Sequence, residues 1–196
     1  MQSLIYQRTI IGYHGCDRAV ARKVLLHHKE LNASENNHDW LGSGIYFWEY
    51  GPDRAMSWAI GISKRRPDRV KIPAVVGAHI HLGICFDLLD IRFTSMLTAL
   101  YPLFKSTLKR QGAPMPKNGP AHGTDRDLVL RKLDCAMLNW AIPQIEKVLK
   151  VKFQTIRGVF QEGKPAYPRS GILEKSHIQV VVRDSEVILG YFLPKA

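Results

Sequence analysis

Apolar positions cluster in short runs near both ends of the chain and recur at helical spacing between them. Residues 3–13 mix β-branched and aromatic side chains and run into Gly12, which predicts a strand. Asp17 follows as a cap for a helix carrying Ala19, Val20, Val24 and Leu25. The polar stretch 32–39 reads as a loop. Residues 44–48 form a short apolar strand. Gly51-Pro52-Asp53 then starts a helix, because proline suits a first turn and aspartate suits its dipole. Ala55, Trp58, Ala59 and Ile62 give that helix its apolar spacing. Residues 73–82 read as a strand, and 86–90 continue the sheet or turn off it. A helix is expected over 94–110, kinked or broken at Pro102, and an exposed Gly/Pro-rich loop over 111–122. Residues 125–150 read as largely helical with an interruption near Pro143. Strands at 155–161, 177–183 and 187–192 close the pattern, the last two joined by a tight turn at Asp184-Ser185. The order predicts an α+β fold.

A chain of 196 residues suits one domain with a real core. No apolar run reaches membrane-spanning length. Residues 1–11 carry Gln2, Gln7 and Arg8 and lack the pattern of a signal peptide, so a cytoplasmic protein without membrane partners is expected. Cys16, Cys85 and Cys135 are odd in number and widely spaced, unlike a disulfide framework. His79 and His81 can share a strand face, but no second ligand pair lies nearby, so no metal is expected. The 28 Lys and Arg against 17 Asp and Glu give a net charge of +11. Such a surface attracts polyanions, and a nucleic-acid partner is plausible. One basic cluster is Lys64, Arg65, Arg66, Arg69 and Lys71. A second is the acid-free stretch between Asp90 and Asp125, with Arg92, Lys105, Lys109, Arg110 and Lys117.

Three short pieces carry the candidate chemistry: Tyr13-His14-Gly15, Gly42-Ser43-Gly44-Ile45-Tyr46-Phe47, and His177-Ile178-Gln179-Val180. A His-Gly at a strand end offers an imidazole beside bare backbone. The GxGIYF strand sets an aromatic ring beside a close-approach backbone. An amide between Ile178 and Val180 is costly if buried unpaired, and alternation puts it on the face of His177 and Val181. Each piece alone has an ordinary packing explanation; their order is the signal.

That order resembles the catalytic domain of the poly(ADP-ribose) polymerase-like, diphtheria-toxin-type ADP-ribosyltransferases. His14 and Tyr46 are 32 positions apart, and in that family a Gly-Ile-Tyr-Phe strand follows the His-Gly by some thirty residues. Residues 75–83 and Cys85-Phe86-Asp87-Leu88 resemble its next strand, and 179–193 its C-terminal hairpin. The resemblance covers roughly 1–90 and 170–196. It implies one catalytic domain over 1–196, a split β-sandwich with flanking helices, in which 91–150 form a basic helical insertion. It implies NAD⁺ as substrate. His14 would bond a ribose, the Gly15 backbone would grip the nicotinamide amide, and Tyr46 would pack on the ring. Gln179 would take the third position of the triad. Gly44, Ser57 and Trp58 complete the implied NAD⁺ site. The family most often has Glu where Gln179 stands, and Arg54 and Ser57 replace its usual Ser and stacking Tyr. Trp58 is then a candidate for the second aromatic face or a core residue. A late turn one residue short leaves Ile178 or His177 as other occupants of the third position. Glu162 is a candidate base on the acceptor, or a solvated loop residue.

A neutral amide can orient a 2′-OH but supplies no negative charge, so single ADP-ribose transfer is expected. Bacterial members of this size resemble toxins of toxin–antitoxin or phage-defence systems, which implies an antitoxin or inhibitor protein as partner. The charge favours an RNA or DNA acceptor. Competing readings are a transferase acting on protein, an NAD⁺ glycohydrolase, and a catalytically inactive nucleic-acid-binding module. A dehydrogenase is disfavoured because GxGxxG is absent and the element order is not βαβ.

Overall fold

The computed structural model describes residues 4–121 and 127–195. Among the described residues, eight strands and four α-helices make an α+β fold: β1 Ile5–Asp17, α1 Arg18–His27, β2 Ile45–Glu49, α2 Pro52–Arg65, β3 Pro73–Asp87, α3 Ile91–Arg110, β4 Asn118–Gly119, β5 Leu130–Arg131, α4 Lys132–Leu149, β6 Thr155–Phe160, β7 His177–Val182 and β8 Ile188–Phe192. Five strands pair in the closed ring β1-β2-β7-β6-β3, and β8 adds to β3. Every pairing in that sheet is antiparallel except β3 with β6.

Alternation gives the sheet two apolar faces. Ile10, Phe47, Val76, Ile80, Val180 and Val182 share one face with Ala21 and Val24 of α1. Phe86, Ile156 and Val181 share the other with Phe93 and Phe104 of α3 and Leu138, Ile142 and Ile145 of α4. Residues 91–150 therefore share a core with the strands.

Three expectations change. β3 does not end at residue 82: Gly83, at φ +59°, bends it, and the Gln154 side chain accepts a bond from Ile84 N, so the strand runs on to Asp87. Neither helical proline interrupts its helix; α3 passes through Pro102 and α4 through Pro143. A proline removes one backbone bond, and the apolar faces that these helices bury outweigh it. The expected loop 111–122 contains β4, which pairs with β5. The helix expected from 125 begins only at Lys132, because Leu130–Arg131 pair with β4 as β5; position 125 itself lies outside the described residues. The turn after β7 is a single 3-10 turn, Ser185–Val187, capped by Asp184.

Candidate functional site

The loop 28–44 and strands β2, β7 and β6 build the site. Tyr46 lies opposite Val181, and Trp48 opposite Gln179. Across β7, Gln179 faces Gly158 and His177 faces Phe160. Tyr46, Trp48, His177 and Gln179 therefore project from one face, and Ile178 projects from the other. The register leaves Gln179 and His177, not Ile178, on the face of Tyr46.

The Gln179 amide is fixed at both ends. Its Oε1 accepts from the Trp40 indole N–H at 2.6 Å. Its Nε2 lies 3.1 Å from His177 Nε2, while His177 Nδ1 lies 2.7 Å from the Lys175 carbonyl. A carbonyl can only accept, so Nδ1 carries the proton and His177 Nε2 accepts from Gln179. One amide N–H of Gln179 remains to be used. Residue 158 must be glycine here, since an added Cβ would come within 2.7 Å of the Trp40 ring.

Aromatic rings surround this amide. Trp40 meets Phe160 edge-on at 5.3 Å, and His177 stacks on Phe160 at 5.5 Å. Trp48 lies 6.3 Å from His177 and 5.9 Å from Trp58. The buried Trp48 Nε1 has no hydrogen-bond partner among the described residues. A buried unpaired donor carries a cost of about 1–3 kcal/mol, which a ligand acceptor relieves. Arg131 lies over Phe160 at 4.8 Å, and Arg54 pairs with Glu162 at 2.7 Å. Glu162 is thus a partly buried ion-pair partner and not a solvated loop carboxylate.

His14 stands on the other face of β1, its ring 5.8 Å from Phe47. The β1–β2 ladder stops at Tyr13 opposite Trp48. Beyond it, His14 Nδ1 donates to the Tyr46 carbonyl at 2.8 Å. Nε2 is left as an acceptor without a partner among the described residues. The structure thus links His14 to the Tyr46 backbone and links Gln179 to Trp40 and His177. It does not bring the His14, Tyr46 and Gln179 side chains into mutual contact.

The Tyr46 ring packs into the core beside α4. Its hydroxyl donates to the Gly42 carbonyl at 2.9 Å and accepts from Leu41 N at 3.0 Å. Burial pushes its pKa well above the usual phenol range. Its hydroxyl is occupied by the loop and its ring by the core, so Tyr46 acts on the site through the backbone carbonyl that holds His14. Gly44, at φ +149°, lies where a Cβ would come within 2.6 Å of the Val182 carbonyl. Ser57 is exposed on α2 with Trp58, which is 42% exposed and so is not a core residue.

Gly15 has a structural reason to be glycine. A Cβ there would lie 2.2 Å from the Ala55 carbonyl oxygen and 3.3 Å from the Trp58 ring. Gly15→Ala is expected to lower stability by about 1–3 kcal/mol by pushing α2 off the sheet. Gly190→Ala, which meets nothing within 4 Å, is the neutral comparison in thermal melts. Equal Tm values for the two would contradict the packing.

Both site histidines favour the neutral form. Desolvation lowers His14, against its bond to Tyr46, and desolvation also lowers His177. Unfolded histidine titrates near 6.5. Between that value and the lowered folded ones, the unfolded chain binds protons that the native chain does not. Stability is therefore expected to fall as pH drops through 6.5 and to level off below the folded values. Urea midpoints at about pH 7.5 and pH 5 check this. His14→Gln/His177→Gln should narrow the difference between the two midpoints; an unchanged difference would refute it.

Burial also pushes the Cys16 thiol up to about 11 and the Cys85 thiol to about 12, so neither supplies a ready thiolate. Two surface hollows, of about 400 Å³ beside Pro143–Lys152 and about 710 Å³ beside Lys164–Arg169, are lined by other residues. Sequence reasoning missed Trp40, Trp48, Phe160 and Arg131. The available signal was Trp40, a large indole in an otherwise polar loop just before Gly42.

No family model matches the chain, and no solved structure matches it. Over 103 residues it is 34% identical to an uncharacterized protein of Methanocaldococcus jannaschii, a stretch that covers 50% of this chain and 46% of that protein. The chain thus spans about half the length of the curated relative it matches. No helix among the described residues is long and apolar enough to cross a membrane.

Proposed function

We propose that this chain is a mono-ADP-ribosyltransferase that uses NAD⁺ as substrate on a split β-sandwich scaffold and transfers ADP-ribose to a nucleic-acid acceptor. The observation that carries the reading is the fixed Gln179 amide, with a free N–H, set among indole rings beside the unpartnered Trp48 Nε1. A flat, polar leaving group with a carboxamide suits such a surround of rings and donors. His14, its ring held through Nδ1 by the Tyr46 carbonyl, offers Nε2 as an acceptor for a ribose hydroxyl.

In the reaction the bond between ribose C1′ and the nicotinamide nitrogen breaks. Its electron pair goes to the nitrogen and neutralises the pyridinium. An acceptor oxygen or nitrogen attacks C1′ and releases its proton to water. These groups hold and orient the dinucleotide and exclude solvent, which is most of what a loose, oxocarbenium-like process needs. Gln179 orients a hydroxyl without adding negative charge, so one unit is transferred and no chain grows.

Labelled NAD⁺ incubated with cell lysate fractions tests both parts. The expected product is a single ADP-ribose on a target whose label is released by nuclease. Label released only by protease would overturn the nucleic-acid acceptor, and multi-unit polymer would overturn single transfer. Free ADP-ribose alone would make the enzyme a glycohydrolase.

A further inference from the structure

We propose that the basic surface where the start of α1 meets the end of α2 docks single-stranded nucleic acid, with Trp58 as the platform on which a base stacks. This rests on the nucleic-acid half of the reading above and not on the NAD⁺ chemistry.

Asp17 assembles the surface. Its Oδ1 caps α1 through Ala19 N at 2.7 Å, and its Oδ2 accepts from Lys71 N and Ile72 N at 2.7 and 3.0 Å. Arg18 N bonds the Ile72 carbonyl at 2.8 Å. The segment after α2 is therefore pinned to the first turn of α1, and buried Val70 anchors it. Two cationic stretches distant in sequence become one surface: Arg18 and Arg22 with Lys64, Arg65, Arg69 and Lys71.

All six are exposed, and none makes an ion pair among the described residues. The nearby carboxylates are Asp68, paired with Arg66 at 3.0 Å, and Asp17, held by three backbone N–H groups. Their two negative charges leave the surface strongly net positive. Polyanions respond to such a field through counterion release.

Trp58 gives the surface its preference for single strands. Arg54, Trp58, Gly61 and Arg65 share a face of α2 by their spacing. Gly61 places no side chain between the indole and Arg65; even an added Cβ would only reach 3.9 Å from the Arg65 guanidinium. Trp58 and Arg65 are about 10 Å apart along the axis. An exposed ring beside a cationic track binds unpaired bases by stacking, and bases inside a duplex are not available for it. Because Trp58 also borders Trp48, a strand held this way lies next to the Gln179 site.

The test is fluorescence anisotropy on the full chain without NAD⁺, using labelled single-stranded RNA of roughly twelve nucleotides and the matching duplex. The single strand should bind more tightly, with an affinity that falls steeply with salt. Arg65→Glu/Arg69→Glu/Lys71→Glu should weaken binding by at least about 30-fold. Lys105→Glu/Lys109→Glu/Arg110→Glu makes the same change in net charge on α3 and should weaken it by less than about 3-fold. Trp58→Ala should cost about 10-fold for the single strand. Equal losses from the two charge reversals would overturn the site, as would no binding at all. Duplex binding as tight as single-strand binding, unchanged in Trp58→Ala, would overturn the stacking role. Binding that persists in a protein without NAD⁺ turnover would refute the transferase reading and leave this one standing.

Discussion

Arg157→Met should lower the unfolding free energy by about 3–5 kcal/mol, the largest stability loss expected of any single change in this chain. Arg157 Nε and Nη2 bond Glu49 at 2.6 and 3.3 Å, and Nη1 bonds Asp87 at 3.1 Å. Arg8 adds a third bond to Glu49, at 3.0 Å. The side chains of Arg157, Glu49 and Asp87 are 7%, 3% and 8% exposed, so removing the guanidinium leaves buried Asp87 without a cation and buried Glu49 with only the half-exposed Arg8. The four residues come from β6, β2, β3 and β1, so the network ties together four of the five strands of the ring. Urea denaturation should show a lower midpoint with an unchanged slope. Replacing all three buried charges together by Glu49→Leu/Asp87→Leu/Arg157→Met should recover most of the loss, because no buried unpaired charge remains and the half-exposed Arg8 stays solvated. A loss below about 1 kcal/mol in Arg157→Met would show that the network is solvated and weak.

Gln179→Ala should reduce nicotinamide release from NAD⁺ by about 10²- to 10³-fold, the size expected for removing one preorganised donor from an active site. The substitution also frees Trp40 Nε1 and His177 Nε2, at a cost of about 1–3 kcal/mol. The folded fraction must therefore be measured alongside by circular dichroism. Gln179→Glu separates the two roles of the amide. A carboxylate still accepts from Trp40, but it cannot donate to the neutral His177. It should retain the fold and shift His177 toward its protonated form, visible as a raised imidazole titration by NMR. Full activity in a folded Gln179→Ala protein would remove this residue from the site.

Local chemistry was legible in the sequence. Asp17 caps α1 as its position implied, and Pro52 opens α2. The apolar run 177–183 became β7 with the expected alternation. These features depend on neighbours within a few residues. Features set by distant partners were not legible. Trp40 and Gln179 are 139 positions apart, and Glu49 and Arg157 are 108 apart. No local pattern links them. The strand expected at 73–82 stops before Gly83, with 86–90 continuing the sheet or turning off it. Gly83 is instead a bend within one long strand, with the Gln154 side chain accepting the Ile84 N–H from 70 positions away. Gly15 read as a place for a ligand, and the structure gives it a prior task in admitting α2. Trp58 had two readings, and its exposure separates them.

The most direct test of the account is nicotinamide release from NAD⁺ by the purified, folded chain, followed by chromatography, in wild type and His14→Ala. The account predicts release by the wild type in the presence of single-stranded nucleic acid and a loss of about 10²-fold in His14→Ala. Undiminished release by His14→Ala, or none by the wild type with any acceptor fraction, would contradict it.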